Sequence, residues 1–363
     1  MPTATARDDL PGDDFMTTVR ASTQHRPDVT VDLALQGGGS HGAFTWGVLD
    51  RLLEEDWLHF EGISGTSAGA MNAAVLVEGF CEDGRLGARR KLHQFWRMVA
   101  NAAMFSPIQR TPLDVLFGNW SLENSPAYQL MDMTARMFSP YDLNPYGGNP
   151  LAVILDNCLN FESIADAPIK LFVTATNVHT GAGKVFRQHE INTAALMASA
   201  CLPTLYHAVE IDGEFYWDGG YSGNPALGPL MQESAADDTI LVQINPVQRN
   251  DIPTTAHAIS NRINEVSFNA GLLKELRMIA FLRQSICSEF QEGNRWANMR
   301  LHRITTDMML KLDYSSKLNA EWPFLLMLRD EGRRSAALFI EQCGARIGKE
   351  ATLDLDAMLP TAN

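Results

Sequence analysis

Twice within residues 31–80 the chain runs from a short apolar stretch through a glycine turn into a helix-forming run. The first pass is Val31-Asp32-Leu33-Ala34-Leu35, then Gly37-Gly38-Gly39-Ser40-His41-Gly42, then Ala43–Glu55, with Phe44, Val48, Leu49, Leu52 and Leu53 at helical spacing. The second is Phe60–Ser64, then Gly65-Thr66-Ser67-Ala68-Gly69, then a helix expected through about Phe80. Strand, glycine loop and helix in tandem bring each strand back beside the last in parallel, so an α/β protein with a mostly parallel sheet is expected.

The rest of the chain divides by composition. Residues 1–29 are polar and acidic and read as a flexible arm. Residues 30–250 hold the α/β domain, interrupted at about 86–151 by a Met- and aromatic-rich helical insertion broken by prolines. Within this domain a strand is expected at Ile169–Thr176, a helix at Asn192–Cys201 and a hairpin over 209–220 turning at Asp212-Gly213. A buried strand at Thr239–Asn245 closes it. Residues 251–363 read as a mainly helical extension packed on the core. It holds a long helix at about 256–289 with the stripe Ile259, Ile263, Val266, Leu273, Leu276 and Ile279, a strand at Arg300–Ile304, and a helix at 321–343 stopped by Gly344.

A net charge of −14 argues against a nucleic-acid partner, because phosphates require Lys and Arg, and it removes polybasic attraction to an anionic bilayer. Any contact with a lipid surface then has to be apolar or locally basic, and self-association is left open. The five cysteines (Cys81, Cys158, Cys201, Cys287 and Cys343) are scattered without a CxxC pair, as in a reducing compartment. The first 30 residues lack the apolar core of a signal peptide, and no window approaches 18 uninterrupted apolar residues. A cytoplasmic protein, at most peripheral at membranes or lipid surfaces, is expected. With no HExxH, paired Cys/His spacing or EF-hand loop, neither a metal nor a cofactor is expected.

Three places carry chemistry. Ser67 lies in a GxSxG after a strand and before a helix; it is either a nucleophile on an elbow or a serine capping the helix. Gly37-Gly38-Gly39 follows the first strand, where converging backbone N–H groups are able to hold an oxyanion. The same segment matches G-x-G-x-x-G at Gly37, Gly39 and Gly42, but a dinucleotide site needs an acid at the end of the second strand. Here that strand runs straight into the Ser67 turn, and Glu61 is near its beginning. Asp218, before Gly219-Gly220, is either a turn residue or a carboxylate held rigidly at the sheet edge. His207 and His257 are alternative bases on position alone.

In this order the three motifs resemble those of the patatin-like phospholipases, over about residues 31–245. The matching elements are the loop Gly37–Gly42, the elbow Gly65–Gly69 and Asp218-Gly219-Gly220, approached through "MASACLPTLYHAVEIDGEFYWDGG". The resemblance implies a three-layer α/β/α fold and a lipid acyl hydrolase of phospholipase A or lysophospholipase type. It implies Ser67 as nucleophile, Asp218 as base, and the amides of Gly38 and Gly39, helped by Gly37, as oxyanion hole. Gly42, Gly65, Gly69, Gly219 and Gly220 would support the motifs. The family often has Arg or Lys where this chain has His41, which bears on headgroup preference. The alternatives are an esterase, thioesterase or storage-polyester hydrolase with the same dyad, or a lipid-binding scaffold with a vestigial site.

Overall fold

The computed structural model of the protein describes residues 26–145, 147–285, 291–355 and 357. Nearly all of the arm expected over 1–29 lies outside these residues, as do Cys287, the end of the helix expected to 289 and the side chain of His257. The two tandem units form as β1 (Val29–Leu35), α1 (Gly42–Leu52), β2 (Leu58–Thr66) and α2 (Ala68–Ala103). Five short helices follow: α3 (Pro112–Leu116), α4 (Pro126–Met137), α5 (Pro140–Leu143), α6 (Pro150–Cys158) and α7 (Phe161–Ala165). Then come β3 (Lys170–Asn177), β4 (Gly183–Arg187), α8 (Thr193–Ser199), β5 (Val209–Ile211), β6 (Glu214–Asp218), α9 (Gly228–Glu233) and β7 (Asp238–Val242). The remaining elements are α10 (Ala256–Ser285), α11 (Gln291–Asn298), β8 (Arg300–Ile304) and α12 (Trp322–Cys343).

The strands make one mixed sheet in the order β5-β6-β3-β2-β1-β7-β8, with β4 also on β3. Strands β3, β2, β1, β7 and β8 are parallel; β4, β5 and β6 pair antiparallel. Val31, Leu33 and Leu35 of β1 pack into a core shared with α1, α2 and α12, while Ala34 points into the opposite core with residues of α9 and α10. Both faces of the sheet are covered, so Val31 and Leu33 to Leu35 are all buried, and Asp32 among them is buried too, accepting from Ser234 Oγ at 2.6 Å. This is the α/β/α architecture expected.

One feature of the pairing builds the site. β2 covers one edge of β3 along Lys170–Thr174, and β4 lies on the other edge. β6 takes over the β2 edge at Ala175–Asn177, running the opposite way. Thr66 pairs with Thr174 and Asp218 with Ala175, so β2 and β6 end against each other.

Several boundaries differ from the sequence reading. α2 continues past Phe80 to Ala103, broken only at Asp83 and Gly84, where the backbone leaves the helical region. After the Asp218 turn, α9 does not begin until Gly228, with Pro229 in its first turn. Residues 223–226 stay non-helical because their carbonyls accept bonds from the sheet: Thr66 Oγ1 to Gly223, Gln36 Nε2 to Asn224 and Ser64 Oγ to Ala226. Gly344 ends α12 with φ −58°, so it is not a left-handed cap. On α10 the stripe is only half used: Leu276 and Ile279 are buried, but Ile259, Ile263 and Val266 are exposed. Among the described residues no helix is long and apolar enough to cross a membrane.

Candidate active site

Ser67 stands between the end of β2 and the start of α2, with φ +53°. A non-glycine residue in that region is strained by about 1–3 kcal/mol, and such strain is often found at functional sites. The turn closes because Gly69 has no side chain: a Cβ there would stand 2.2 Å from the Leu35 carbonyl oxygen. Ser67 holds the N-cap position of α2, yet its side chain makes no capping hydrogen bond. The helix-cap reading of this serine therefore fails. Its backbone is held instead by Ser199, whose Oγ accepts the Ser67 N–H at 2.9 Å and donates to the Thr174 carbonyl at 2.7 Å.

Asp218 ends β6 and is 1% exposed. Its Oδ1 accepts the Gly220 N–H at 2.7 Å, so the turn-residue reading holds for one oxygen. The other, Oδ2, is buried without a hydrogen bond of normal geometry. Burial pushes the Asp218 pKa up to about 7, against the pull of the Gly220 amide, the Ser67 hydroxyl and the Lys317 charge. Ser67 is thus near enough to act on this carboxyl, though the bond between them is not closed; catalytic hydrogen bonds are commonly loose until substrate binds. Gly219 permits the approach, since a Cβ there would stand 2.1 Å from the Thr174 carbonyl oxygen, beside the end of β2.

The glycine loop lies directly against the Ser67 turn: a Cβ on Gly37 would fall 2.6 Å from Ser67 Cβ. Gly37 cannot assist as an oxyanion donor, because its N–H is held by Asn224 Oδ1 at 2.6 Å. This corrects its expected role. Among the described residues, no hydrogen bond uses the N–H of Gly38 or Gly39. The loop is fixed by buried amides that sequence reasoning missed. Gln36 Oε1 accepts from the backbones of Ile244 and Asn245, and Asn245 Nδ2 donates to the Gly37 carbonyl at 2.7 Å. Gln36 and Asn245 stand just past the ends of β1 and β7, and polar residues there are the available signal, since ligands of parallel sheets bind at the carboxyl ends of strands.

A cavity of about 390 Å³ opens over these groups. Gly38, Gly39, Ser67, Asp218 and Lys317 share its wall with Met71, Phe95, Trp96, Leu151 and Ile154. The insertion contributes through its two ends, 95–106 and 149–151, and not through its middle. No histidine lines the cavity among the described residues. His207 stacks on Tyr141 with ring centroids 4.0 Å apart and bonds the Pro140 carbonyl. His41 is buried against Ser316 Oγ at 2.8 Å; burial first, and the Lys317 charge second, hold its pKa well below the usual histidine range. The cationic side chain in the cavity wall is Lys317. That residue comes from the segment before α12, donates to Asn245 Oδ1 at 2.8 Å, and is pulled by burial to a pKa of about 8. No sequence motif marks it.

Glu61, the acid within β2, is paired with Lys170 at 3.0 Å and lies five residues before the strand ends at Thr66, so it is not placed at the strand end as a dinucleotide site requires. No cluster of His, Cys, Asp or Glu suited to a metal occurs among the described residues.

Comparison with known proteins decides the family. The family model described as patatin-like phospholipase matches residues 33–231, more than half of the chain. The chain belongs to the patatin-like phospholipase family. This is a family of lipid acyl hydrolases, and the matched span includes the glycine loop, the Ser67 elbow and Asp218. Lys317 and Asn245 lie beyond it. No curated protein matches the chain. Among solved structures the chain is similar to VipD from Legionella pneumophila, at 14% identity over 85% of this chain and 67% of that one, with a TM-score of 0.34.

Proposed function

We propose that this patatin-like protein hydrolyses carboxylic esters of lipids through Ser67 and Asp218. Ser67 Oγ attacks the ester carbonyl while its proton passes to Asp218 Oδ2. The N–H groups of Gly38 and Gly39 hold the negative charge that develops on the carbonyl oxygen. The tetrahedral intermediate collapses as Asp218 returns the proton to the leaving alkoxide, freeing an alcohol and leaving an acyl ester on Ser67. Water then attacks with Asp218 again as base, releasing the fatty acid and restoring the serine. A carboxylate is a weak base for an alcohol, and raising its pKa brings it nearer the task.

The observation that carries this reading is the state of Asp218: a buried carboxyl oxygen with no partner, in a wall shared with a strained, non-capping serine and two unengaged amides. Ser67→Ala removes the nucleophile and little else. Purified protein should hydrolyse members of a panel of phospholipids, lysophospholipids, monoacylglycerols, thioesters and short nitrophenyl esters. The variant should lose at least ~10³-fold on every substrate cleaved, as expected when a catalytic nucleophile is removed. Undiminished turnover in the variant would assign the chemistry elsewhere.

A further inference from the structure

The insertion has its polarity inside out. Thirteen of the twenty-three exposed large apolar side chains among the described residues fall within 104–153. Around α3, Leu113, Val115, Leu116 and Phe117 face solvent, while Asp114 is buried. Asp114 is held there by Thr111 Oγ1 at 2.6 Å, Asn124 Nδ2 at 2.8 Å and Asn119 Nδ2 at 3.1 Å. On α4, Leu130, Met133 and Met137 share one helical face and are all exposed. Phe105, just past the end of α2, is 88% exposed.

This outward apolar surface is anchored. Arg110 makes a two-pronged ion pair to Glu321 at 2.8 and 2.6 Å and stacks over Trp120 at 4.0 Å. Ser315 Oγ accepts the Leu122 N–H, and Asn319 donates to the Trp120 carbonyl. A segment that fixes its polar groups inward while presenting leucine, phenylalanine and methionine to water is built to be covered.

We propose that residues 104–143 dock the protein on an electrically neutral lipid surface, with the active-site cavity opening beside it. This rests on the reading of the cavity as a lipid hydrolase site. Three observations choose lipid over a second copy of the chain. The segment is joined to the cavity wall at both ends, through Ala103 and Ser106 at one end and Asn149 to Leu151 at the other, so whatever covers it stands beside the cavity. An acyl chain taken directly from an apolar phase avoids exposing its methylenes to water, each of which disfavours exposure by about fourfold. The charges also fit a neutral surface. Arg110 is engaged by Glu321 and Arg136 by Asp132, while the chain as a whole carries −14, so nothing here attracts an anionic bilayer.

Phe105→Ser, Leu116→Ser and Phe117→Ser combined test this, none of the three being in the cavity wall. Flotation with phosphatidylcholine vesicles should carry the wild-type protein and Ser67→Ala alike, with no gain when phosphatidylglycerol is added. The triple variant should bind at least tenfold less, keep its melting temperature, and hydrolyse a water-soluble nitrophenyl ester within twofold of wild type. Wild-type protein that does not float, binding that requires the anionic lipid, or a triple variant that binds as wild type would each overturn the proposal. So would a wild-type dimer that the triple variant converts to monomer without vesicle binding by either. Failure of the active-site reading would look different: vesicle binding lost in the triple variant, but no ester hydrolysis by any form.

Discussion

Two aspartates are buried one strand in from opposite edges of the same sheet, and their surroundings differ. Asp238 opens β7; burial raises its pKa, but His302, Arg300 and the Gly348 N–H overcome that and hold it at about 2. His302 Nε2 donates to Oδ1 at 2.9 Å and Arg300 grips Oδ2 at 3.0 and 2.6 Å, so its charge is matched on every side. Asp218 ends β6 with one N–H on Oδ1, nothing on Oδ2, and a pKa pushed up to about 7. Asp238 is saturated with donors and stays charged, whereas Asp218 is left short of them and is poised to accept a proton, at a cost in stability. Asp32 also has a buried Oδ2 without a hydrogen bond and a pKa pushed up by burial to about 7. It does not line the cavity, so the raised pKa marks a base only together with the Ser67 neighbourhood.

The largest test of this contrast is Asp218→Asn. Turnover should fall on the order of 10³-fold, within the range for loss of a general base. Because the folded pKa of Asp218 lies above its unfolded value of 3.8, wild-type stability should decline as pH rises from about 4 to 7. The asparagine variant escapes that decline, so in denaturant melts it should be the more stable protein at pH 8, by up to about 4 kcal/mol for a shift of this size, and no different near pH 4. A variant both inactive and less stable at pH 8 would put Asp218 in the class of Asp238.

The glycine loop supplies the next effect. A Cβ on Gly38 would stand 2.8 Å from Ile244 Cδ1, a side-chain end that yields partly. Gly38→Ala should shift the amides and lower kcat by about 10–100-fold, less than the full loss of an oxyanion donor, with little change in binding of an uncleavable lipid analogue. Unchanged kcat would remove Gly38 from the oxyanion hole.

Asp238→Asn is the mirror experiment. Leaving Arg300 with a neutral partner should destabilise the protein by about 3 kcal/mol, yet turnover per folded molecule should match wild type. Denaturant melts and active-site titration separate the two. The smallest effect is expected from Lys317→Met. The ammonium lowers the Asp218 pKa, so its loss should move the acidic limb of the pH–rate profile to higher pH by less than about one unit. A limb displaced to lower pH would contradict that assignment.

The two strand–loop–helix units were legible because apolar period and glycine position agree there, and the hairpin because Asp212 and Gly213 both take positive φ. The convergence of Ser67 and Asp218 was legible only through family resemblance. Physically it depends on β6 continuing the β3 edge where β2 stops, which no local pattern encodes. β4 went unseen because "GKVFR" is a mostly polar edge strand with a single buried residue. The stripe on α10 showed that a face exists and not what covers it. Lys317 and Asn224 reach the loop through tertiary contacts alone, and the pattern of the insertion gave its apolar content without its inverted orientation.

The central claim is that Ser67 is activated by a carboxyl titrating near neutrality. A fluorophosphonate probe, with the adduct located by peptide mass spectrometry and its rate followed from pH 5 to 9, tests it most directly. The account predicts one adduct on Ser67, with a rate that rises through a single ionisation near pH 7 and falls at least ~100-fold in Asp218→Asn. An adduct on another residue, or a Ser67 rate unaffected by Asp218→Asn, would contradict it.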